Sequence, residues 1–402
     1  MSDLISLEKA LAFLVQDAKE NASTVNVELR DAVGCMLTEE KHALINVPEF
    51  DNSAMDGYAV NSADITAAGC TLSVSQTIAA GHPGTPLERG TAAKIFTGAA
   101  IPNGADAVVI KENTRAENDE VEIMQMPAAG ENIRVTGCDV QKGSVVLSKG
   151  RRIGPQDLGL LASLGISELS VKKPLTVAIL NTGDEVIAPG TPLKPGQIYD
   201  SNSYTLEALL KTLGMNVIKM GIVQDTLKQT EQALQQAAEQ ADCIISTGGV
   251  SVGDEDHVRA AVEKLGQLAL WKLAIKPGKP FSYGRVNAKP FFGLPGNPVA
   301  VFVTFLLLVR PYLLKVQGAE PLEPATLQVP SGFDISKAGT RQEYIRVRLV
   351  NNHGAQELQA FNNQGSSIMT SISWADGLAE IPIGKTVSKG QLLKYFPFRS
   401  IL

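Results

Sequence analysis

The chain opens with apolar positions Leu4, Leu7, Leu11, Leu14 and Val15 three and four residues apart, a period that predicts an amphipathic helix over 4–19. From about 45 to 145 the period shortens to two. Runs such as "TLSVSQTI", "AAKIFTG", "ADAVVI" and "EVEIMQM" alternate with Gly, Pro and Asn turns, which predicts a β-rich unit. "GPQDLGLLASLG" (154–165) returns to a helical pattern like that of the N-terminus. The β segment (45–144) therefore reads as an insertion into a helical linker domain formed by 1–44 and 145–172. From 173 to 322 apolar strands alternate with helices: "LTVAILNTG", then "DSNSYTLEALLKTLG", capped by Asp200, Ser201 or Asn202 and stopped by Gly214. "MNVIKMGIV", "TLKQTEQALQQAAEQ", "DCIISTGG" and "DEDHVRAAVEKLG" repeat the unit. Such alternation predicts a doubly wound, mostly parallel sheet with its ligand crevice at the carboxyl ends of the strands. "ATLQV", "EYIRVRLV", "ELQAF" and "KTVSKGQLLKYF" then predict a C-terminal β domain over 323–402. The fold class is thus α/β and multidomain.

Composition narrows the partners more than the fold. A net charge of −6 and a pI of about 5.4 disfavour nucleic-acid binding, which wants a basic face, but leave room for a small anion in a local basic pocket. Cys35, Cys70, Cys138 and Cys243 are scattered without a CxxC pair, and His42, His82, His257 and His353 lie far apart, so neither a disulfide framework nor a zinc site is expected. The N-terminal twenty residues lack a signal-peptide pattern, and a reducing cytoplasm fits. The longest apolar run, "VAVFVTFLLLV" (299–309), falls short of the ~20 residues that span a bilayer and reads as a buried helix.

The chemistry concentrates at strand ends. "STGGVSVGDEDH" (246–257) places Gly248, Gly249 and Ser251 in a strand-to-helix turn, a common seat for an anion because free N–H groups point outward there. Asp254, Glu255 and Asp256 follow at once. Capping and helix-dipole stabilisation account well for Asp254 and equally well as function for Glu255. Asp256 has company, because Asp184 and Glu185 in "NTGDEV" and Asp225 in "GIVQDT" follow strands of the same sheet. Carboxylates gathered at one edge repel unless a cation or protons intervene, and Mg²⁺ commonly bridges one or two of them to substrate phosphates. In "WKLAIKPGKPF" (271–281), a strand over 271–276 puts Lys272, Ala274 and Lys276 on one face, and Pro277, Gly278 and Pro280 form a rigid bend presenting Lys279. Packing of Trp271, Leu273 and Ile275 favours oxyanion-binding lysines over a solvated edge. "FFGLPGNPVAVFV" (291–303) gives a strand, a rigid turn in which Asn297 caps, and a buried helix. By composition alone, Asp56 in "FDNSAMDGYAV" and Asp139 in "GCDVQKG" are turn residues.

Taken together, "PEFDNSAMDGYAV", "IFTGAAIPNGADAVV", "NIRVTGCDV", "NTGDEV", "IYDSN", "STGGVSVGDED", "WKLAIKPGKPF", "GLPGNPVA" and "NNQGSS" closely resemble, in order, the molybdopterin molybdotransferases, the MoeA-type enzymes related to the gephyrin E domain. The resemblance covers about 45 to 370 and is loosest in the C-terminal domain. It implies four domains, an elongated homodimer whose cleft lies between the sheet domain of one subunit and the insert of the other, and insertion of molybdenum from molybdate into adenylylated molybdopterin with release of AMP and help from Mg²⁺. It also implies contact with molybdopterin adenylyltransferase and molybdoenzyme chaperones. Carried over, Asp56, Asp139, Glu185, Asp225 and Asp256 match catalytic acids, of which Glu185, Asp225 and Asp256 are the metal candidates. Lys276, Lys279, Arg346 and Ser366 (or its neighbour Ser367) match molybdate-holding positions, and Thr97, Arg134, Lys272, Pro295 and Pro298 match further cleft positions. His257 stands where relatives carry Tyr. Two rivals are an adenylyltransferase sharing the sheet domain, which the insert and C-terminal domain disfavour, and a gephyrin-like scaffold, which the intact acids and lysines disfavour.

Overall fold

The computed structural model describes residues 4–21, 23–248, 257–352 and 354–401, and of Leu270 the backbone only. Strands Thr176–Thr182 (β1), Asn216–Val223 (β2), Cys243–Thr247 (β3), Gly266–Lys272 (β4), Pro280–Val286 (β5) and Lys289–Leu294 (β6) form one sheet in the order β2-β1-β3-β6-β5-β4. The first four strands of that order run parallel; β5 pairs antiparallel to β6, and β4, antiparallel to β5, runs in the direction of the first four, so its end lies at their carboxyl rim. β1 and β3 are buried almost without a break because both faces of the sheet are covered. The pleat sends Val177, Ile179, Cys243, Ile245, Phe292 and Leu294 into one core and Ala178, Leu180, Ile244 and Phe291 into another.

Helices close both cores. The second core is covered by α4 (Leu227–Gln240) and α5 (His257–Leu265), which follow α1 (Leu7–Asp17), α2 (Pro155–Ser163) and α3 (Asn202–Thr212) in the chain. The first is covered by α1, α3 and the long helix Pro298–Val316. Asp200 supplies the cap of α3, accepting the Ser203 N–H at 3.0 Å, and Gly214 ends it at φ +76°. The long helix has 19 residues and enough apolar character to cross a bilayer, yet 89% of its apolar window is buried, so it is a core element. A five-residue π turn, Phe305–Val309, sits just ahead of Pro311, whose missing N–H and bulky ring a regular α turn would not tolerate.

The linker region carries α2 beside an antiparallel ladder of Thr24–Glu28 with Glu168–Lys172. The N-terminal helix leaves that region and buries Leu7, Ala10 and Leu14 against the sheet domain. Just before it, Ile5 donates to Lys272 O (2.9 Å) and accepts from Ala274 N (2.8 Å), splinting the point where the expected strand over 271–276 breaks into β4 and the short strand Ile275–Lys276. The insert has its own six-stranded sheet and two apolar cores. Among the described residues, hydrogen bonds and ion pairs leaving 46–143 reach only His42, Ala43 and Ser144. The C-terminal domain is a curled sheet whose strand Gln342–Asn352 pairs in parallel with Ile275–Lys276. That pairing welds the lysine-bearing bend of the sheet domain to the C-terminal domain.

Candidate active site

Because β1, β2, β3 and β6 run parallel, the loops after their last residues rise from one rim. β1 delivers Asp184 and Glu185, β2 delivers Asp225, β3 delivers Gly248, and β6 delivers Pro295, Gly296 and Asn297. The Asp225 N–H donates to Asp184 Oδ1 at 3.4 Å, so these two acidic loops are neighbours. Asp184, Glu185 and Asp225 are all exposed. Their hard oxygen donors suit Mg²⁺. Among the described residues, however, no three His, Cys, Asp or Glu side chains converge, so these acids alone do not complete a metal site. Gly249, Ser251, Asp254, Glu255 and Asp256 lie outside the described residues.

Beside the acids is a cavity of about 550 Å³. Gly248 forms part of its floor at φ +81°, where a Cβ would meet Thr182 O at 3.0 Å, so this turn needs glycine. The Lys276–Pro280 bend makes one wall and Pro295–Asn297 another. Leu273 N donates to Lys279 O at 2.7 Å and closes the bend. Gly278 (φ +111°) lies so near Thr304 that a Cβ would stand 2.5 Å from its Cγ2. Lys276 Nζ is held 2.7 Å from Glu343 Oε1, whereas Lys279 is exposed and forms no ion pair among the described residues. Asn202 Nδ2 anchors the opposite wall through Gly296 O (2.8 Å). Asn297 occupies the capping position of the long helix but makes no capping bond with its side chain; its place is on the cavity wall. Pro298 opens that helix, and Lys272, half-buried at the end of β4, does not line the cavity.

The C-terminal domain supplies the last wall, Gln364–Ser366, together with Arg341. Ser366 O accepts the Val299 N–H (3.0 Å), one of the helix-start donors that would otherwise be orphaned. Arg346, expected at the oxyanion, is buried (1% exposed) and does not line the cavity. Its guanidinium donates to Ser371 Oγ (3.1 Å), Tyr344 O (3.1 Å) and Gly365 O (3.3 Å), bracing the wall from behind. Burial lowers its pKa to about 10. Arg341 is the cavity residue the sequence reading passed over. Its signal was register: it directly precedes the strand that pairs with Lys276.

Asp56, Thr97, Arg134 and Asp139 gather elsewhere, at one pole of the insert. Asp56 Oδ1 accepts the Thr97 N–H (2.9 Å) and hydroxyl (2.8 Å), which holds its pKa below the ordinary value. The strand Ile133–Arg134 pairs with Asn52–Ser53, and Asp139 N donates to Val47 O (3.0 Å). The chain does not bring this pole to the sheet rim through any hydrogen bond or ion pair among the described residues. Phe50, Met55, Phe96 and Val135 stand exposed around it, an apolar patch beside charged groups.

Three family models match the chain: "MoeA N-terminal region (domain I and II)" over residues 5–165, "Probable molybdopterin binding domain" over 178–315 and "MoeA C-terminal region (domain IV)" over 328–398. A molybdopterin molybdenumtransferase of Haemophilus influenzae is 38% identical, covering 99% of this chain and 100% of the relative. One from Nostoc is 36% identical over 94% of this chain and 89% of its own. The crystal structure of a molybdopterin biosynthesis MoeA protein from Pyrococcus horikoshii superposes with a TM-score of 0.85 at 31% identity, covering 98% of this chain and 100% of that one.

Proposed function

The chain belongs to the MoeA family of molybdopterin molybdenumtransferases and acts in molybdenum cofactor biosynthesis, and from that premise we propose how its site inserts the metal. Molybdate sits in the cavity between the lysine bend and the Gln364–Ser366 wall. Adenylylated molybdopterin lies along the sheet rim, its pyrophosphate toward Gly248 and the loop beyond, with Pro295 in the wall and Pro298 opening the helix that follows it. The carrying observation is that free cationic charge at Lys279 and acidic groups at Asp184, Glu185 and Asp225 occupy loops of one rim. An oxyanion needs the first and a phosphate-bound dication the second.

Glu185 and Asp225, joined by Asp256, would hold Mg²⁺, which when bound offsets charge on the phosphoanhydride oxygens. The protein's own part is placement. Lys279 fixes the oxyanion, the prolines keep the walls rigid, and glycine backbone lets the phosphate approach closely. A water oxygen or a molybdate oxygen attacks the phosphoanhydride phosphorus and AMP leaves, while the two dithiolene sulfurs bind molybdenum in place of a molybdate oxygen, which departs as water with the two thiol protons. The apolar pole of the insert supports a homodimer in which Asp56, Thr97, Arg134 and Asp139 complete the partner subunit's cleft. We place the enzyme in the cytoplasm, receiving its substrate from the adenylyltransferase and passing its product to molybdoenzyme chaperones.

The test is to incubate the purified protein with adenylylated molybdopterin, Mg²⁺ and molybdate. Molybdate-dependent AMP release with formation of active cofactor supports the reading. ATP consumption without molybdate would assign it instead to adenylyl transfer, and binding without turnover would make it a scaffold. Asp256→Asn should slow AMP formation in a single turnover; an unchanged rate removes Asp256 from the site.

A further inference from the structure

The chain crosses between the linker region and the sheet domain twice, after α1 at 18–23 and before β1 at 173–175, and both crossings line one cavity of about 280 Å³. It lies where the parallel strands begin: Leu175 precedes β1, Asp242 precedes β3 and Pro290 is the second residue of β6. The candidate active site is at the other end of those strands, about 16 Å away along β3, and the two cavities share no lining residue. Leu175 and Tyr312, each 2% exposed, make an apolar floor with Val316 and Pro290. Arg285 is already engaged, its Nη2 donating to Asp17 Oδ2 (2.7 Å) and its Nη1 to Ala288 O (3.0 Å). So is Asp242, which accepts the Thr176 N–H (2.9 Å) and lies 3.9 Å from the Lys289 ammonium. Lys19 and Lys173 remain, exposed and without an ion pair among the described residues. Asn21 Oδ1 accepts the Ser23 N–H (2.9 Å), and among the described residues the Asn21 amide N–H groups and the Ser23 hydroxyl have no acceptor.

We propose that this cavity binds a small phosphate monoester, its phosphate on Lys19 and Lys173 and its organic part on the Leu175–Tyr312 floor, and that the bound ligand clamps the hinge between the linker region and the sheet domain. A phosphate monoester carries close to two negative charges at neutral pH and three acceptor oxygens. Two uncompensated ammoniums match the charge, and the donors of Asn21 and Ser23 meet the remaining acceptors. A carboxylate would leave one cation unmatched, and a metal ion would find its only lining carboxylate, among the described residues, already engaged. The volume falls at the small end of ligand cavities, which suits one phosphate with a compact organic group. The clamp follows from what the ligand would touch. Asn21 N donates to Val316 O (2.7 Å) and Lys173 N to Ser23 O (3.0 Å), so the two crossings and the long helix already meet here. The insert, tied among the described residues only to its own roots, is carried on these crossings. Occupancy therefore sets how the insert is held against the sheet domain. That regulatory consequence rests on the reading of the insert pole as completing the partner subunit's cleft; the binding does not.

The test is isothermal calorimetry with phenyl phosphate, inorganic phosphate and phenol on the full-length protein and its Lys19→Met, Lys173→Met, double-lysine and Lys279→Ala variants, with thermal melts to report folding. Phenyl phosphate should bind more tightly than inorganic phosphate, and phenol should not bind. Each single lysine variant should bind phenyl phosphate about tenfold more weakly and the double variant more weakly still, with melts unchanged and with Lys279→Ala like the native protein. Hydrogen exchange at 19–23 and 173–175 should slow with ligand in the native protein and not in the double variant. The double variant should keep basal AMP release, and phenyl phosphate should alter that rate only where both lysines are present. Unchanged affinity in the folded double variant, or binding lost in Lys279→Ala instead, overturns the site. Equal affinity for phenyl phosphate and inorganic phosphate overturns the role of the floor. Binding with no effect on AMP release refutes the regulation alone. If the native protein releases no AMP at all, the functional reading falls while calorimetry and exchange still decide this site.

Discussion

Replacing Arg346 by Met removes the charge and its donors but nearly keeps the side-chain volume, and so isolates the bracing role. Three contacts are lost, to Ser371 Oγ, Tyr344 O and Gly365 O. Hydrogen bonds from a charged donor contribute about 1.5–3 kcal/mol each, a gross loss of roughly 5–9 kcal/mol. Relief of guanidinium burial offsets several kcal/mol of that, because none of its bonded partners is a carboxylate. Part of the wall also holds by other means. Ser371 Oγ still donates to Ile368 O (2.6 Å), and Gln364 Nε2 still donates to Phe361 O (2.9 Å). The net expectation is a C-terminal domain destabilised by about 2–4 kcal/mol. Urea titration followed by tryptophan fluorescence reads this directly, since Trp374 ends the helix that carries Ser371. Molybdate affinity should fall several-fold as the Gly365–Ser366 wall loosens. Arg346→Lys should recover little, because one ammonium cannot serve three spread acceptors. A stability loss under ~0.5 kcal/mol would refute the bracing argument. Collapsed molybdate binding at unchanged stability would make Arg346 a direct ligand.

Other perturbations follow from the same geometry. Gly278→Ala forces a Cβ against Thr304 at a φ that L residues avoid, and should destabilise by about 1–3 kcal/mol and raise KM for molybdate; an unchanged melt and KM would contradict it. Thr97→Val deletes a hydroxyl donor to Asp56, so its pKa, now below the usual 3.8, should move upward in a carboxyl-resolved NMR titration. With the folded pKa depressed, the Asp56 latch contributes fully above the unfolded value near 3.8 and fades as pH falls through the lower folded one. Acid unfolding should therefore begin at higher pH in Thr97→Val, and coincident acid transitions would remove the latch. Asp225→Asn should raise the Mg²⁺ concentration needed for half-maximal AMP release, and an unaltered Mg²⁺ titration would take Asp225 out of the metal set.

What the sequence disclosed follows from which patterns are local. Mostly apolar strands flanked by amphipathic helices are a local consequence of two-sided burial, so the parallel sheet and the rim bearing Glu185, Asp225 and Gly248 were readable. The lysine bend was readable too, because Pro277, Gly278 and Pro280 restrict the backbone whatever surrounds them. The break at Leu273–Ala274 was not, since Ile5, far away in the chain, supplies the missing strand partner. The strand Gly377–Ile381 was missed because "GLAEI" is short and weakly alternating. Nor does sequence distinguish Arg346 from Arg341. Both stand in one arginine-rich stretch, and only the packing of Tyr344, Ser371 and Gly365 turns one inward while register turns the other to the cavity. The N-terminal helix was visible, but its place against the sheet depends on a surface formed hundreds of residues later.

The most direct measurement is anomalous diffraction from crystals soaked in tungstate, a tetrahedral dianion with the shape and charge of molybdate. The account predicts one strong peak in the cavity, within hydrogen-bond reach of the Lys279 ammonium and beside Ser366. A peak confined to another surface, with this cavity empty at saturating tungstate, would contradict it.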